Sequence, residues 1–387
     1  MEELLDLDVL VADTLVPATL VSVIAGTRCV ASTAGPYNLY GSHVVELCAK
    51  HGTHYVDITG EVDWVKAVAS KWQKTAEQTG SKLIPFCGKF RSARQVVTLR
   101  AGFLINFPFH TVSFLLTSGH DSIPWDVSTA EISRIMKHEC GDELEAVTFW
   151  DEAIGGAPGG TFATMMDFVD GSPPPKVKSD PFFKTLEGGD SQHALDPQLP
   201  LLVSKVSSPW DGPESKRWQA PFIMAYVNAE VVRWSHSLRS EGIKSLVYQE
   251  SMVLPDFKTA FVAHVGLIMG GSLILNPITK YLVKLLIPQS GQGPSYDDME
   301  NKHYLAVWGE GVGVNGSRVE SLMWLPKDAG CLETARMLVE SGLCLALQEK
   351  ELPVSKGGFM TPSVALGEVL MQRLLETGTK FSYRVKK

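Results

Sequence analysis

The chain has 387 residues, 44% hydrophobic and 20% charged, a globular composition too long for one ordinary core, so two domains are expected. Its 35 lysines and arginines against 43 aspartates and glutamates leave a net charge of -8, which excludes nucleic acid as the main partner, because phosphate binding needs a clustered basic excess. The six cysteines form no CxxC pair and have no histidine at metal-ligand spacing, so no metal site is expected and the thiols read as reduced and intracellular.

The opening MEELLDLDVL is acidic where a signal or transit peptide would be basic, so no targeting segment is expected. Residues 8 to 88 then alternate short apolar runs with amphipathic stretches. DVLVADT reads as a strand, PATLVSVIAG as a helix, RCVASTAG as a strand and SHVVELCAKHG as a helix. THYVDITG is a strand, EVDWVKAVASKWQKTAEQTG a helix with Val62, Val65, Ala69, Trp72 and Ala76 on one face, and KLIPFCG a buried strand. Strands separated by helices need crossover connections, so the fold class is α/β with a doubly wound parallel sheet.

Lys89 to Gly119 breaks this rhythm. It is acid-free, basic at its start (Lys89, Arg91, Arg94, Arg100) and apolar afterwards. Gly88-Lys89 can be encoded GGT-AAG and Ser118-Gly119 TCA-GGN, with pyrimidine-rich codons available for Phe114 to Thr117, so the segment reads as a retained intron. The rival reading is a lid or membrane-dipping loop.

After residue 145 a glycine-rich stretch, GGAPGGT, is followed by a Pro-, Ser- and Gly-rich loop over 171–213. PFIMAYV, SLVYQESMVL, HYLAVWGEG and RVESLMWL read as strands of a second α+β domain with a mixed sheet, over 146–330. Its apolar segment 260–287 (AFVAHVGLIMGGSLIL, then ITKYLVKLLIP) is too short and interrupted to span a bilayer. It reads equally as a hairpin lying on a membrane surface, with Lys280 and Lys284 snorkelling, or as a pair buried in a core or homodimer interface. CLETARMLVESGLCLALQ and TPSVALGEVLMQRLLETG read as closing helices over 331–387.

Ligands of open α/β sheets sit at the carboxyl ends of the strands. STAGPYNLYG falls there, Gly35 allowing close approach and Pro36 stiffening the turn, though a plain strand-to-helix turn explains it as well. Asp57 and Glu61 follow on the same edge. His120 and Asp121 would come next if 89–119 were absent, a histidine beside a carboxylate that could orient it for proton transfer, although an acid there also suits a helix cap. His236, beside Arg233 on a helix, reads equally as a surface or core residue. GEGVGVNG imitates a dinucleotide fingerprint, but RVESLMWL after it alternates as a strand, so a hairpin is expected.

Taken together, STAGPYNLYGSHVVELCAKHGTHYVDITGE, FCG with GHDSIPWD, GGAPGGT, APFIMAYVNAEVVRWS and GGFMTPSVALGEVLMQRL resemble the saccharopine dehydrogenase-like oxidoreductases, which include trans-acting enoyl reductases. The resemblance runs over most of residues 8 to 385. It implies an NADP- or NAD-binding Rossmann domain over 1–145, a substrate domain, and last helices that pack back on the first. Asp13 matches an acidic residue near the adenine. Thr33, Ala34, Gly35, Pro36 and Tyr37 match the loop under the nicotinamide, and Gly60 and Glu61 the cleft mouth. Gly119, His120, Asp121 and Ser122 match a turn where substrate approaches. The catalytic candidates are His120, Asp121 and Asp57. Family members open with a glycine-rich phosphate loop that this sequence lacks, so the Rossmann domain is read as incomplete and N-terminally truncated. The substrate is expected to be a small molecule or a lipid, and the resemblance implies association with membranes, lipid droplets or mitochondria. A non-catalytic lipid-droplet or membrane-associated binding protein is the alternative.

Overall fold

The computed structural model describes residues 10–87, 96–99, 122–155, 203–206, 210, 217–222, 224–239, 246–276, 279 and 294–386. Gly119, His120 and Asp121, GGAPGGT beyond Gly155, most of the 171–213 loop and the second half of the apolar pair lie outside these residues.

The first unit grows from three parallel strands: β1 (Cys29–Ser32), β2 (His54–Asp57) and β3 (Lys82–Ile84). All three are wholly buried, as runs covered by helices on both faces must be. α1 (Pro17–Ala25) leads into β1, and the crossovers are a short turn α2 (Tyr37–Tyr40) with α3 (Ser42–His51), then α4 (Val62–Thr79). Of the helical face read for α4, Val62, Val65, Ala69 and Ala76 are buried and Trp72 is partly so. The expected strand over DVLVADT does not form in its described part. Asp13 accepts the backbone N–H of Leu15 at 2.9 Å, turning the chain into α1 and leaving Leu10 and Val11 exposed.

A fourth strand, β4 (Val96–Leu99), pairs antiparallel with β1 and covers that edge. It comes from within the segment read as an insertion.

The second unit is a seven-stranded mixed sheet. At its centre, β5 (Leu144–Ile154) pairs parallel with β8 (Val247–Leu254) and antiparallel with β9 (Tyr304–Gly313). β9 turns back into β10 (Arg318–Leu325), the hairpin expected from GEGVGVNG. Its glycines admit α5 (Ile123–Ile135): a Cβ on Gly311 would lie 2.3 Å from Ile132 and 2.9 Å from Leu144. The far edge carries β7 (Trp218–Pro221) and β6 (Ser204–Lys205). PFIMAYV, expected as a strand, is one only at Pro221, because α6 (Ala225–Arg239) begins four residues later and buries apolar residues against α5 and the sheet. A short apolar run carries too little periodicity to separate these outcomes.

The C-terminal region serves both units. After α9 (Thr334–Leu347), β11 (Gly358–Phe359) joins the first sheet parallel to β3. After α10 (Pro362–Glu376), β12 (Lys380–Lys386) pairs with β10 in the second. Neither strand was expected from the sequence. The apolar run 260–275 forms most of α7 (Phe257–Leu275), capped by Asp256, which accepts the N–H of Thr259 at 3.0 Å. Phe261, Val262, Ile268 and Met269 on it are each at least half exposed. No helix among the described residues is long and apolar enough to cross a membrane.

Candidate functional site

The β-α rhythm brings the ends of β1, β2 and β3 to one edge of the first sheet. Asp13 stands in the turn before α1, a helix that packs on α3. Asp13 is exposed there and its hydrogen bonds go to Leu15 and Thr19 within the turn into α1.

The loop after β1 and the loop after β2 are tied by Glu61. Its carboxylate accepts the N–H groups of Tyr37 and Asn38 at 2.7 and 2.8 Å, the bidentate capture of a helix start by an anion. Tyr37 is buried. Its hydroxyl donates to the Ser32 carbonyl at 2.8 Å, and its ring closes over Gly35, where a Cβ would meet it at 3.2 Å. Ala34, Gly35 and Pro36 are buried behind this ring, while Thr33, Gly60 and Glu61 form the half-buried rim.

Asp57 lies behind the rim, fully buried. It accepts the N–H groups of Thr59 and Phe86 at 3.0 and 3.2 Å and the hydroxyl of Tyr55 at 2.8 Å, so it ties the ends of β2 and β3 together. Burial pushes its carboxyl up to about 7, against the pull of these hydrogen bonds and with a push from the Glu61 charge.

The second unit closes over this edge through α5 and α6. The rings of Phe86 and Trp234 meet edge to face at 6.5 Å. At the head of α5, Ser122 donates to Asn228 at 3.0 Å, and Asn228 donates to Glu250 at 2.9 Å. Tyr248 donates to the same carboxyl at 2.6 Å. Asp151 accepts from Trp125 at 3.0 Å, while its other oxygen is buried with no donor and faces Glu250. Two facing acceptors need a proton between them: burial raises both carboxyls, and the Glu250 charge raises Asp151 further.

Of the residues expected to form the site, Thr33, Ala34, Gly35, Pro36, Tyr37, Asp57, Gly60 and Glu61 come together in one hydrogen-bonded cluster. Asp13 is exposed and bonded within the turn into α1, not joined to this cluster. Asn228, Asp151 and Glu250 were not expected. A signal existed, since Asp151 alternates with the buried Val147 and Phe149, and Glu250 with Tyr248, placing acids on a core-facing register.

A nicotinamide cofactor fits this edge at one end only. The half-buried rim of Thr33, Gly60 and Glu61 could border a flat ring, while Ala34, Gly35 and Pro36 are already covered. The N–H groups at the start of α2, which could take a phosphate, are already spent on Glu61.

No family model matches the chain. A Mycobacterium tuberculosis H37Rv protein named among the trans-acting enoyl reductases is 29% identical over 384 residues, covering 96% of this chain and 83% of its own. The trans-acting enoyl reductase of Mycobacterium bovis is 26% identical, over 96% of this chain and 84% of its own. That of Mycobacterium leprae is also 26% identical, with the same coverage. Among solved structures, apo histidine-tagged saccharopine dehydrogenase (L-Glu forming) from Saccharomyces cerevisiae aligns with 97% of this chain and 88% of its own, at 10% identity and a TM-score of 0.47.

Proposed function

We propose that the chain is a nicotinamide-dependent oxidoreductase, as its similarity to trans-acting enoyl reductases over 96% of its length supports. The observation that carries this reading is the Glu61-tied cluster at the carboxyl edge of a parallel sheet, where α/β folds bind such rings. The cofactor, NADP or NAD, supplies a hydride when bound. The rim of Thr33, Gly60 and Glu61 would orient the ring, and the Phe86–Trp234 contact helps to keep water from the edge. His120 and Asp121 are the proposed groups at the substrate's approach, and Asp57 holds its proton behind the rim.

The substrate we favour is a lipid-like molecule carrying a polarised double bond, as the half-exposed apolar side chains of α7 would suit a lipid surface. Titrating the full chain with NADPH and NADH, followed by fluorescence, should give saturable binding. Oxidation of the bound cofactor should then follow addition of a 2-enoyl thioester. A chain that neither binds nor oxidises either dinucleotide would sink the reading.

The second reading, a non-catalytic membrane- or lipid-droplet-associated binding protein, is favoured by the same α7 surface and by the phosphate-binding N–H groups spent on Glu61. Replacing Ile268 and Met269 together by Asp should lower flotation with phospholipid vesicles about tenfold, through loss of buried apolar area. Unchanged flotation would remove α7 from both readings. A homodimer burying α7 would instead show wild-type dimerisation lost in the same variant.

A further inference from the structure

At the opposite end of the first sheet, away from the Thr33–Glu61 rim, the parallel strands begin on basic residues. Arg28 precedes β1, His54 opens β2 and Lys82 opens β3. They are stitched together across the edge: the backbone N–H of His54 donates to the Arg28 carbonyl at 2.9 Å, and the backbone N–H of Lys82 donates to Nδ1 of His54 at 3.1 Å. Because that nitrogen accepts, the ring proton sits on Nε2, and even the neutral imidazole is a donor there. Burial pushes the His54 imidazole down from its ordinary pKa, against the upward pull of Glu349.

Both side chains converge on one oxygen of a residue far along the chain. Oε1 of Glu349, in the turn Glu349–Glu351 after α9, lies 2.9 Å from Nζ of Lys82 and 3.2 Å from Nε2 of His54. The side chain of Lys82 is 1% exposed and that of His54 8%, whereas that of Glu349 is 51% exposed. In front of this carboxylate opens a cavity of about 630 Å³, the size of a small-molecule site, with Thr27, Arg28, His54, Leu345, Leu347 and Glu349 on its wall. Lys82 stands behind Glu349, its ammonium carrying three N–H groups and meeting one acceptor among the described residues. Thr27 also keeps a buried hydroxyl without a partner.

We propose that this cavity is a binding site for a short aliphatic carboxylate, whose head takes the place of Glu349 on Lys82 and His54. The site lies outside the nicotinamide edge and does not depend on the oxidoreductase reading. Glu349 is the tethered stand-in for the head: the hydrogen bond from Lys82 holds its carboxyl ionised, and its exposure lets it swing out to water. A surface pair such as Asp298 and Lys302, at the end of α8 (Tyr296–Asn301), leaves both ions hydrated when it parts. When Glu349 leaves Lys82, the ammonium stays buried and needs another anion. Exchange of one carboxylate for another keeps the charge balanced, and the side chains of Leu345 and Leu347 offer an apolar wall to the hydrocarbon body of the ligand. Arg28, exposed at the rim, donates to the Ala346 carbonyl at 2.8 Å and so fixes that wall at the end of α9.

Isothermal titration of the full chain with hexanoate should show saturable binding at one site. Acetate, which has the head without the body, should bind about tenfold more weakly. Lys82→Met keeps the stem and removes the ammonium, so hexanoate binding should be lost. Glu349→Ala removes the tethered competitor and should tighten binding about tenfold. Should Lys82→Met unfold, His54→Asn replaces it: its amide oxygen still accepts the Lys82 N–H, the donor to the head is gone, and affinity should fall about tenfold. A wild-type chain that does not bind hexanoate, a folded Lys82 or His54 variant that binds it as wild type does, or a Glu349→Ala variant no tighter than wild type overturns the proposal. Inorganic phosphate that binds more tightly than hexanoate and displaces it overturns the carboxylate assignment as well. None of these readouts uses a dinucleotide, so their failure leaves the oxidoreductase reading standing, and a chain that binds hexanoate without oxidising NADPH or NADH keeps this site while losing that reading.

Discussion

Gly357→Val is expected to disconnect the C-terminal region from the first sheet. A Cβ at this position would lie 2.2 Å from the carbonyl oxygen of Ala76 and 2.6 Å from the carbonyl carbon of Gly80. Both are backbone atoms at the end of α4, so no rotamer change makes room. The contact matters because β11 begins at the next residue: Gly358 donates to Ser81 at 2.8 Å, Met360 to Leu83 at 3.1 Å, and Gln73 accepts from Phe359 at 2.8 Å. Immediately after, Ser363 donates its N–H to the buried Asp126 at 2.8 Å and Thr361 bonds Ser235 at 2.6 Å, so the register of β11 also sets the lock between α10, α5 and α6. Displacing the strand strands a buried carboxylate as well as a ladder. The expected loss is about 4 kcal/mol or more, in the range reserved for overpacking combined with unpaired buried polar groups. Thermal unfolding followed by circular dichroism reads it directly, and a variant melting within a few degrees of wild type would refute the account.

How much of this was readable in advance depended on where each residue's partners lie. The helices and parallel strands between Pro17 and Ile84, and β8 to β10, followed from periodicity, because their burial is a property of the local pattern. Asp13 ended the first expected strand through a bond to its own backbone two residues on, a turn chemistry that the apolar run concealed. β11 is two residues long and exists only because the end of α4 leaves a slot for glycine. The placement of Asp57 and Glu61 on one edge was legible from strand order. Their tasks were not, because the groups they hold are main-chain N–H groups of Tyr37, Asn38, Thr59 and Phe86, positioned by the fold.

Asp57 also makes stability depend on pH in a stated direction. Its carboxyl rises from 3.8 to about 7 on folding because burial disfavours the charge more than its hydrogen bonds favour it. Between those two values the folded chain holds a proton that the unfolded chain has released, so stability falls as pH rises through the window. The contribution is fully present below pH 4 and fully lost above pH 7, a change of about 4 kcal/mol at 1.36 kcal/mol per decade of proton affinity. The buried Asp151–Glu250 pair, raised for the same first reason, adds a slope of the same sign. Asp57→Asn removes the charge and keeps an oxygen for the N–H groups of Thr59 and Phe86, while the Tyr55 hydroxyl can turn to accept from the new amide. The variant should therefore match or fall below wild type at pH 5 and exceed it at pH 8, with the loss of melting temperature between those values roughly halved. Parallel wild-type and variant curves across pH 5 to 8 would show that Asp57 stays ionised in the fold. The proton assigned to it behind the rim would then have to come from elsewhere.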